Sequence, residues 1–360
     1  MATSPKDKAT GLETRDVFLD TEVYRRYGHN LNDRILQTLL KLTKDHVCTL
    51  HITDITLSEI MRQLGDLAIE VAQVVNKSNR QLRNWRAVRA WHSKQQGALE
   101  DLDVANLTQD AISQFNYLMT VDWQPTKHIA SEIPAKDIFE SYFRREPPFD
   151  KQDSKEFPDA FVVMALDRWC QSKHQKMYVV TKDKAMLRAV ERTKTLIPVP
   201  TLEDYLALRV ENPQIVSKVE RILESKAWDT VETHVREHIG ELGTVYSGNL
   251  HDGEIVDHRL SDGSITLEYF HIISASDDQI ELVAKVKTPV SFDVQYMDTS
   301  SAWWDSEEKD FFGGETETVT FEEEVVLSLL VVIDSKDDSI SDINVLTQDI
   351  NLEEPSEDFY

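Results

Sequence analysis

Four acidic residues are spaced so that a folded chain could gather them: Asp20, Glu59, Asp159 and Asp183. Asp20 closes the apolar run Val17-Phe18-Leu19, and Asp183 follows Met177-Tyr178-Val179-Val180 after Thr181-Lys182. Glu59 and Asp159 each fall in the expected first turn of a helix. In an open α/β sheet, ligands collect at the carboxyl ends of the strands. Four carboxylates at that edge could hold hard divalent cations, and such cations activate water against a phosphodiester. Each acid also has a plain structural reading. Thr56-Leu57-Ser58-Glu59 reads as a capping box, Asp159 after Pro158 suits a helix N-terminus, and Asp20 and Asp183 suit N-caps. Gathered at one edge, their mutual repulsion would cost stability unless a cation offset it.

The elements that must position these acids alternate. Val17–Leu19, Val47–Ile52, Met177–Val180 and Leu196–Val199 read as buried strands. Leu31–Thr43 is an amphipathic helix, with Leu31, Ile35, Leu39 and Leu42 on one face. Helices are also expected from about Leu57 to Ser93, and over Asp110–Met119, Ile138–Phe143, Asp159–Trp169 and Lys184–Arg192. This alternation predicts an α/β domain with a central parallel sheet over residues 1–208. Residues 209–242 read as a helical linker. From Gly243 the chain turns β-like, and residues 243–360 predict a mainly antiparallel domain, a sandwich or small barrel. Its expected strands are Thr244–Tyr246, Ile265–Ile273, Gln279–Val286, Val290–Tyr296, Glu317–Glu324 and Val325–Ile333.

Composition narrows the class. The chain has 360 residues, 41% hydrophobic and 29% charged, which suits a folded, non-membrane protein. Met1–Asp16 carries no apolar signal-peptide core, so a cytoplasmic protein is expected. The two cysteines, Cys48 and Cys170, form no CxxC pair, which argues against a disulfide framework or a cysteine-rich zinc site. No phosphate-binding loop of the Walker type occurs, so direct ATP use is not expected. The net charge of -25 is uneven: residues 1–200 hold 29 Lys+Arg against 27 Asp+Glu, and residues 201–360 hold 10 against 37. The first part can approach a polyanion; the second should repel one or imitate one.

At this point the pattern resembles the PIN-domain nuclease superfamily, over roughly Asp16–Leu208. The resemblance rests on Val17-Phe18-Leu19-Asp20-Thr21, Leu57-Ser58-Glu59-Ile60, Phe157-Pro158-Asp159-Ala160-Phe161 and Val180-Thr181-Lys182-Asp183, in that order. Asp137-Ile138-Phe139 and Pro147-Pro148-Phe149 resemble a bacterial PIN-like branch of unknown function with a longer helical insert. The resemblance implies a metal-dependent nuclease that uses Mg2+ or Mn2+, cleaves mostly RNA and leaves 5′-phosphate and 3′-hydroxyl ends. It implies that Asp20, Glu59, Asp159 and Asp183 bind the metal, with Thr21 and Thr181 as supporting hydroxyls. Many relatives carry Asn two places after the first acid, where this chain has Val23 after Glu22. Glu22 either adds a ligand or faces solvent. A toxin-like or antiviral setting is a further implication. The alternative is a catalytically silent PIN-fold scaffold that binds RNA or protein.

Lys77, Arg80, Arg83, Arg86 and Arg89, interleaved with Trp85 and Trp91, offer phosphate contacts and stacking faces. Lys155 adds a cation beside Asp159. A three-residue spacing slips around a helix, so these side chains form no single stripe. RNA contact, docking on the acidic second domain and a passive surface all remain readings of this stretch. The second domain could restrain the nuclease by imitating RNA or act as a regulatory or assembly module, and oligomerisation is a further reading; Trp303-Trp304 reads either as core or as a contact patch. His234-Val235-Arg236-Glu237-His238 matches the HxxEH zinc pattern, but Val231, Val235, Ile239 and Leu242 make an apolar stripe that favours packing.

Overall fold

The computed structural model describes residues 12–84, 100–151, 156–210, 212–300, 302–305 and 310–353. The chain divides into two units, Met1–Arg209 and Val210–Tyr360.

The first unit is built on a five-stranded parallel sheet in the order β3-β2-β1-β4-β5. The strands are β1 (Asp16–Leu19), β2 (Thr49–Thr53), β3 (Thr126–His128), β4 (Met177–Val180) and β5 (Leu196–Val199). β1 and β4 are buried along their whole length, as central strands covered on both faces must be. The helices that position acids are α1 (Thr21–Arg26), after β1, and α3 (Asp54–Asn84), after β2. Between them α2 (Arg34–Lys44) carries the expected apolar face, with Ile35, Leu36, Leu39, Leu40 and Leu42 buried. Later come α4 (Val104–Leu118), α5 (Ala135–Phe143), α6 (Phe157–Lys173), α7 (Lys184–Glu191) and α8 (Leu202–Ala207). Val162, Val163, Leu166 and Cys170 of α6 pack on Phe18, Met177 and Val179 of the sheet.

Two sequence expectations change here. β3 was not expected: Thr126-Lys127-His128 is short and polar, and only its parallel pairing with His51–Thr53 makes it a strand. The long helix begins at Asp54, because the Thr56 N–H donates to the Thr53 hydroxyl at 3.0 Å. Glu59 therefore lies in the second turn, not the first, and the capping-box reading of Glu59 fails.

The second unit is mainly antiparallel, as expected, but it is an open sheet and not a closed barrel. Its strands are β6 (Gly243–Tyr246), β7 (Glu254–Leu260), β8 (Thr266–Ala275), β9 (Gln279–Asp298), β10 (Trp303–Asp305), β11 (Asp310–Phe312), β12 (Glu315–Asp334), β13 (Ile340–Val345) and β14 (Asp349–Leu352). The main sheet has the order β13-β12-β9-β7, with β8 also pairing with β9, and β10 pairs with β11. The centre is a pair of 20-residue strands, β9 (Gln279–Asp298) and β12 (Glu315–Asp334), each expected as two shorter ones. Pro289 does not break β9. Its carbonyl accepts from the Ser261 N–H at 3.1 Å, so its backbone faces the gap between β7 (Glu254–Leu260) and β8 (Thr266–Ala275). The N–H that proline lacks would point into that gap and not toward β12. On the far side of β12 lies β13 (Ile340–Val345), while β6 (Gly243–Tyr246) and β14 (Asp349–Leu352) form a separate parallel pair.

Helices α9 (Pro213–Leu223) and α10 (Trp228–His238), expected as a linker, put Val219, Ile222, Val231 and Val235 into one core with Leu282, Phe292 and Leu329. They are part of the second unit, since their apolar stripes have this sheet to cover. A truncation meant to isolate the first unit therefore belongs after Arg209 and not at 242. Among the described residues, no helix is long and apolar enough to cross a membrane.

Candidate active site

The carboxyl ends of β1 and β4 lie side by side, held by the Asp20 N–H donating to the Val180 carbonyl at 3.0 Å. Asp20 is the first residue past β1. Its Oδ1 accepts from the Thr21 N–H at 2.6 Å, so it caps α1. Its Oδ2 accepts from the hydroxyl of Thr181, the first residue past β4, at 2.6 Å. The same Thr181 oxygen accepts from the Asp183 N–H at 3.0 Å, and Asp183 Oδ1 caps α7 by accepting from the Met186 N–H at 2.7 Å. The structural readings of Asp20 and Asp183 are thus real. They coexist with exposure to a common cleft.

Two more carboxylates are tied in from neighbouring elements. The Thr21 hydroxyl donates to Glu59 Oε2 at 2.8 Å, so α1 and α3 are joined through an acid. Glu22 Oε2 accepts from the Lys182 N–H at 3.0 Å. α6 runs into β4 from the opposite direction, so its N-terminus, with Asp159 and Glu156, arrives at the same sheet edge.

These residues line a cleft of about 830 Å³. Asp20, Glu22, Glu59, Glu156, Asp159 and Asp183 supply the negative charge. Arg25, Lys151, Lys182, Lys184 and Arg188 supply positive charge on the same walls. The four expected acids are therefore brought together, with Thr21 and Thr181 bonded to two of them. Glu156 and the basic residues were not anticipated. Their signal was local: Lys182 and Lys184 flank Asp183, and Arg25 lies one helical turn beyond Asp20 and Glu22.

The charge concentration marks the titration of two acids. Burial first, then the negative charges of Asp20, Asp183, Glu156 and Glu59, push the Asp159 carboxyl up to about 8. Burial raises Asp20 to about 6, against the lowering effect of the hydrogen bonds from Thr181 and Thr21. Hard oxygen donors under this mutual repulsion suit Mg2+ or Mn2+. Among the described residues, however, no three His, Cys, Asp or Glu side chains converge closely enough to hold a metal ion as they stand. Binding therefore calls for the carboxylates to draw together.

The expected basic helix reaches the described residues only in part. Lys77 and Arg80 are exposed on α3, while Arg83 pairs with Asp101 at 2.8 Å. Trp85, Arg86, Arg89, Trp91 and Lys155 lie outside the described residues.

A separate polar chain crosses the other edge of the sheet. The His51 ring is 1% exposed and reaches Asp16 Oδ1 through Nε2 and His128 Nε2 through Nδ1, each at 2.8 Å. The Asp16 carboxylate can only accept, so His51 Nε2–H donates to it. His51 Nδ1 then accepts from His128 Nε2–H. Trp169 stands edge-on to both rings. Burial first, then the adjacent His51, lower His128 to about 4. A histidine with a depressed folded pKa takes up a proton more readily unfolded, so stability is lost as pH falls from 6.5 toward 4. Discounted for partial exposure, the loss is expected to be about 1–2 kcal/mol. Urea unfolding of wild type and His128→Gln across that range checks it; identical pH slopes would contradict it.

In the second unit the HxxEH histidines stack at 4.1 Å, and His238 Nδ1–H donates to the His234 carbonyl at 2.8 Å. Val231, Val235 and Ile239 are buried, as the stripe predicts.

Residues 17–186 match a family model described as the PIN domain. No curated protein matches the chain. No solved structure matches it either.

Proposed function

Because residues 17–186 make this chain a member of the PIN-domain family, whose fold is of the nuclease type, we propose that it is a metal-dependent endoribonuclease. The observation that carries this reading is the cleft itself, where Asp20, Glu59, Asp159 and Asp183 share one wall with exposed cations. Those four carboxylates would hold Mg2+ or Mn2+. When bound, such an ion lowers the pKa of water and polarises a phosphodiester. Thr181 and Thr21 orient the carboxylates of Asp20 and Glu59 through the hydroxyl bonds at 2.6 and 2.8 Å. Asp159, raised to about 8, holds a proton at neutral pH until a cation displaces it. Arg25, Lys151, Lys182 and Lys184 are exposed and meet the phosphates of an incoming strand.

A scaffold that binds RNA without turnover is the second reading, favoured by the separation of the acids. Cleavage of single-stranded and structured RNA, with and without Mn2+, decides between them. The nuclease is expected to leave 5′-phosphate ends only when metal is present. Binding without any cleavage across Mg2+ and Mn2+ would leave the scaffold.

A further inference from the structure

Beside the cleft the surface changes from charged to aromatic. On α5, Phe143 is 77% exposed, Phe139 46% and Tyr142 37%. These are large apolar side chains in water, on one short helix. They are not loose. Phe139 and Phe143 stack at 6.2 Å with planes 27° apart, and Tyr142 lies 5.3 Å from Phe157 at 32°. Phe157 in turn meets Phe149 at 4.9 Å. Beneath them Ile138, Phe149 and Ala160 form a small core that fixes the helix. The rings are thus held in place while faces of the outer ones stay open.

The patch is continuous with the cleft through two short stretches. Phe157 lies between Glu156 and Asp159, and Phe149 between Pro148 and Lys151; all four flanking residues line the cleft. Its border is cationic. Lys136 and Arg144 are 82% and 66% exposed and, among the described residues, pair with Glu140 at 3.9 and 3.6 Å. Exposed pairs of that kind are weak, so a phosphate can compete for both cations. Arg145 adds an exposed guanidinium. The nearby acids Asp137 and Glu146 are already paired with Arg168 and Arg192.

We propose that the aromatic face of α5 is a stacking platform for unpaired bases of a single-stranded RNA whose backbone continues into the acidic cleft. Ordered rings with cations at their border are what base stacking and phosphate contact require together. A duplex hides its base faces and cannot use the platform. A purely apolar protein segment would make no use of the exposed cations Lys136, Arg144 and Arg145 at the border. The proposal rests on the nuclease reading for the cleft and adds a surface outside it that takes the unpaired bases.

The test is fluorescence anisotropy on the full chain without divalent metal, using a labelled oligouridylate of about twelve nucleotides. The comparison strands are an abasic oligomer of equal length and a duplex. Wild type is expected to bind the oligouridylate at least about tenfold tighter than the abasic strand, because stacking contributes strongly per base. Phe143→Ala and Phe139→Ala/Phe143→Ala should lose that preference while still binding both strands through phosphates; Phe143→Trp should keep it. Both positions are exposed, so melting temperatures should hold. Equal preference in wild type and the double variant would overturn the platform. So would a double variant that changes only self-association in sedimentation, which would assign the patch to a second copy. If Mn2+ still raises the melting temperature and supports cleavage, the cleft reading survives that failure.

Discussion

Replacing Asp159 by Asn is expected to lower metal-dependent RNA cleavage by at least about 10²-fold, since the metal contributes several kcal/mol to such chemistry. The same change should stabilise the metal-free protein at alkaline pH. Asp159 ordinarily ionises at 3.8, but in the folded chain at about 8. Between those values the folded state keeps a proton that the unfolded chain has released, so stability falls as pH rises from about 4 to about 8 and levels off above that. Asn never ionises and avoids that cost, a gain of about 1–3 kcal/mol after discounting for partial exposure. Metal response should move the other way. At 100 times its dissociation constant, Mn2+ stabilises a single-site protein by about 2.7 kcal/mol. Wild type should show that rise, and Asp159→Asn little of it. Melting curves at pH 8.5 with and without Mn2+, beside cleavage assays on the same preparations, check all three effects. An inactive variant that is also less stable would mean that Asp159 serves the fold. A variant that cleaves like wild type would remove it from the site.

The acids were legible because the fold places them by local rules. A polar residue that ends a buried strand must emerge at the sheet edge, and a helix running into the next strand must begin there. Val17-Phe18-Leu19-Asp20 and Phe157-Pro158-Asp159 satisfy those rules within four or three residues. What failed needed partners distant in sequence. Thr126-Lys127-His128 becomes a strand only beside His51–Thr53. Pro289 reads as a break until Ser261 shows which way its backbone faces. Asp16, His51 and His128 look unrelated until three strands bring them into one hydrogen-bonded chain. The basic wall of the cleft was missed for another reason. The conspicuous basic signal is a dense arginine repeat, whereas Lys182 and Lys184 flanking Asp183, and Arg25 three residues past Glu22, are isolated charges. The sequence marks Ile138–Phe143 as a helix but does not show that the rings of Phe139 and Phe143 stay exposed on it.

Metal affinity is expected to depend steeply on pH, because protons and cation compete for the same oxygens. Asp159 gives up its proton near 8 and Asp20 near 6. Over the interval between those values one proton is displaced per ion, so the apparent Mn2+ affinity should fall roughly tenfold per pH unit, about 100-fold from pH 8 to pH 6. Below that the second proton, on Asp20, steepens the fall. The position of this second step depends on Thr181, whose hydroxyl bond to Asp20 favours the ionised carboxylate. Thr181→Val removes the donor and leaves the burial that raises Asp20. The steeper region should therefore begin at higher pH, with affinity at neutral pH lower by about 10–100-fold, the usual effect of losing a group that orients a ligand. Calorimetric Mn2+ titrations in two buffers of different ionisation heat count the protons released at each pH. An affinity independent of pH between 8 and 6 would exclude Asp159 from the ion's ligands, and a slope that does not steepen below 6 would exclude Asp20.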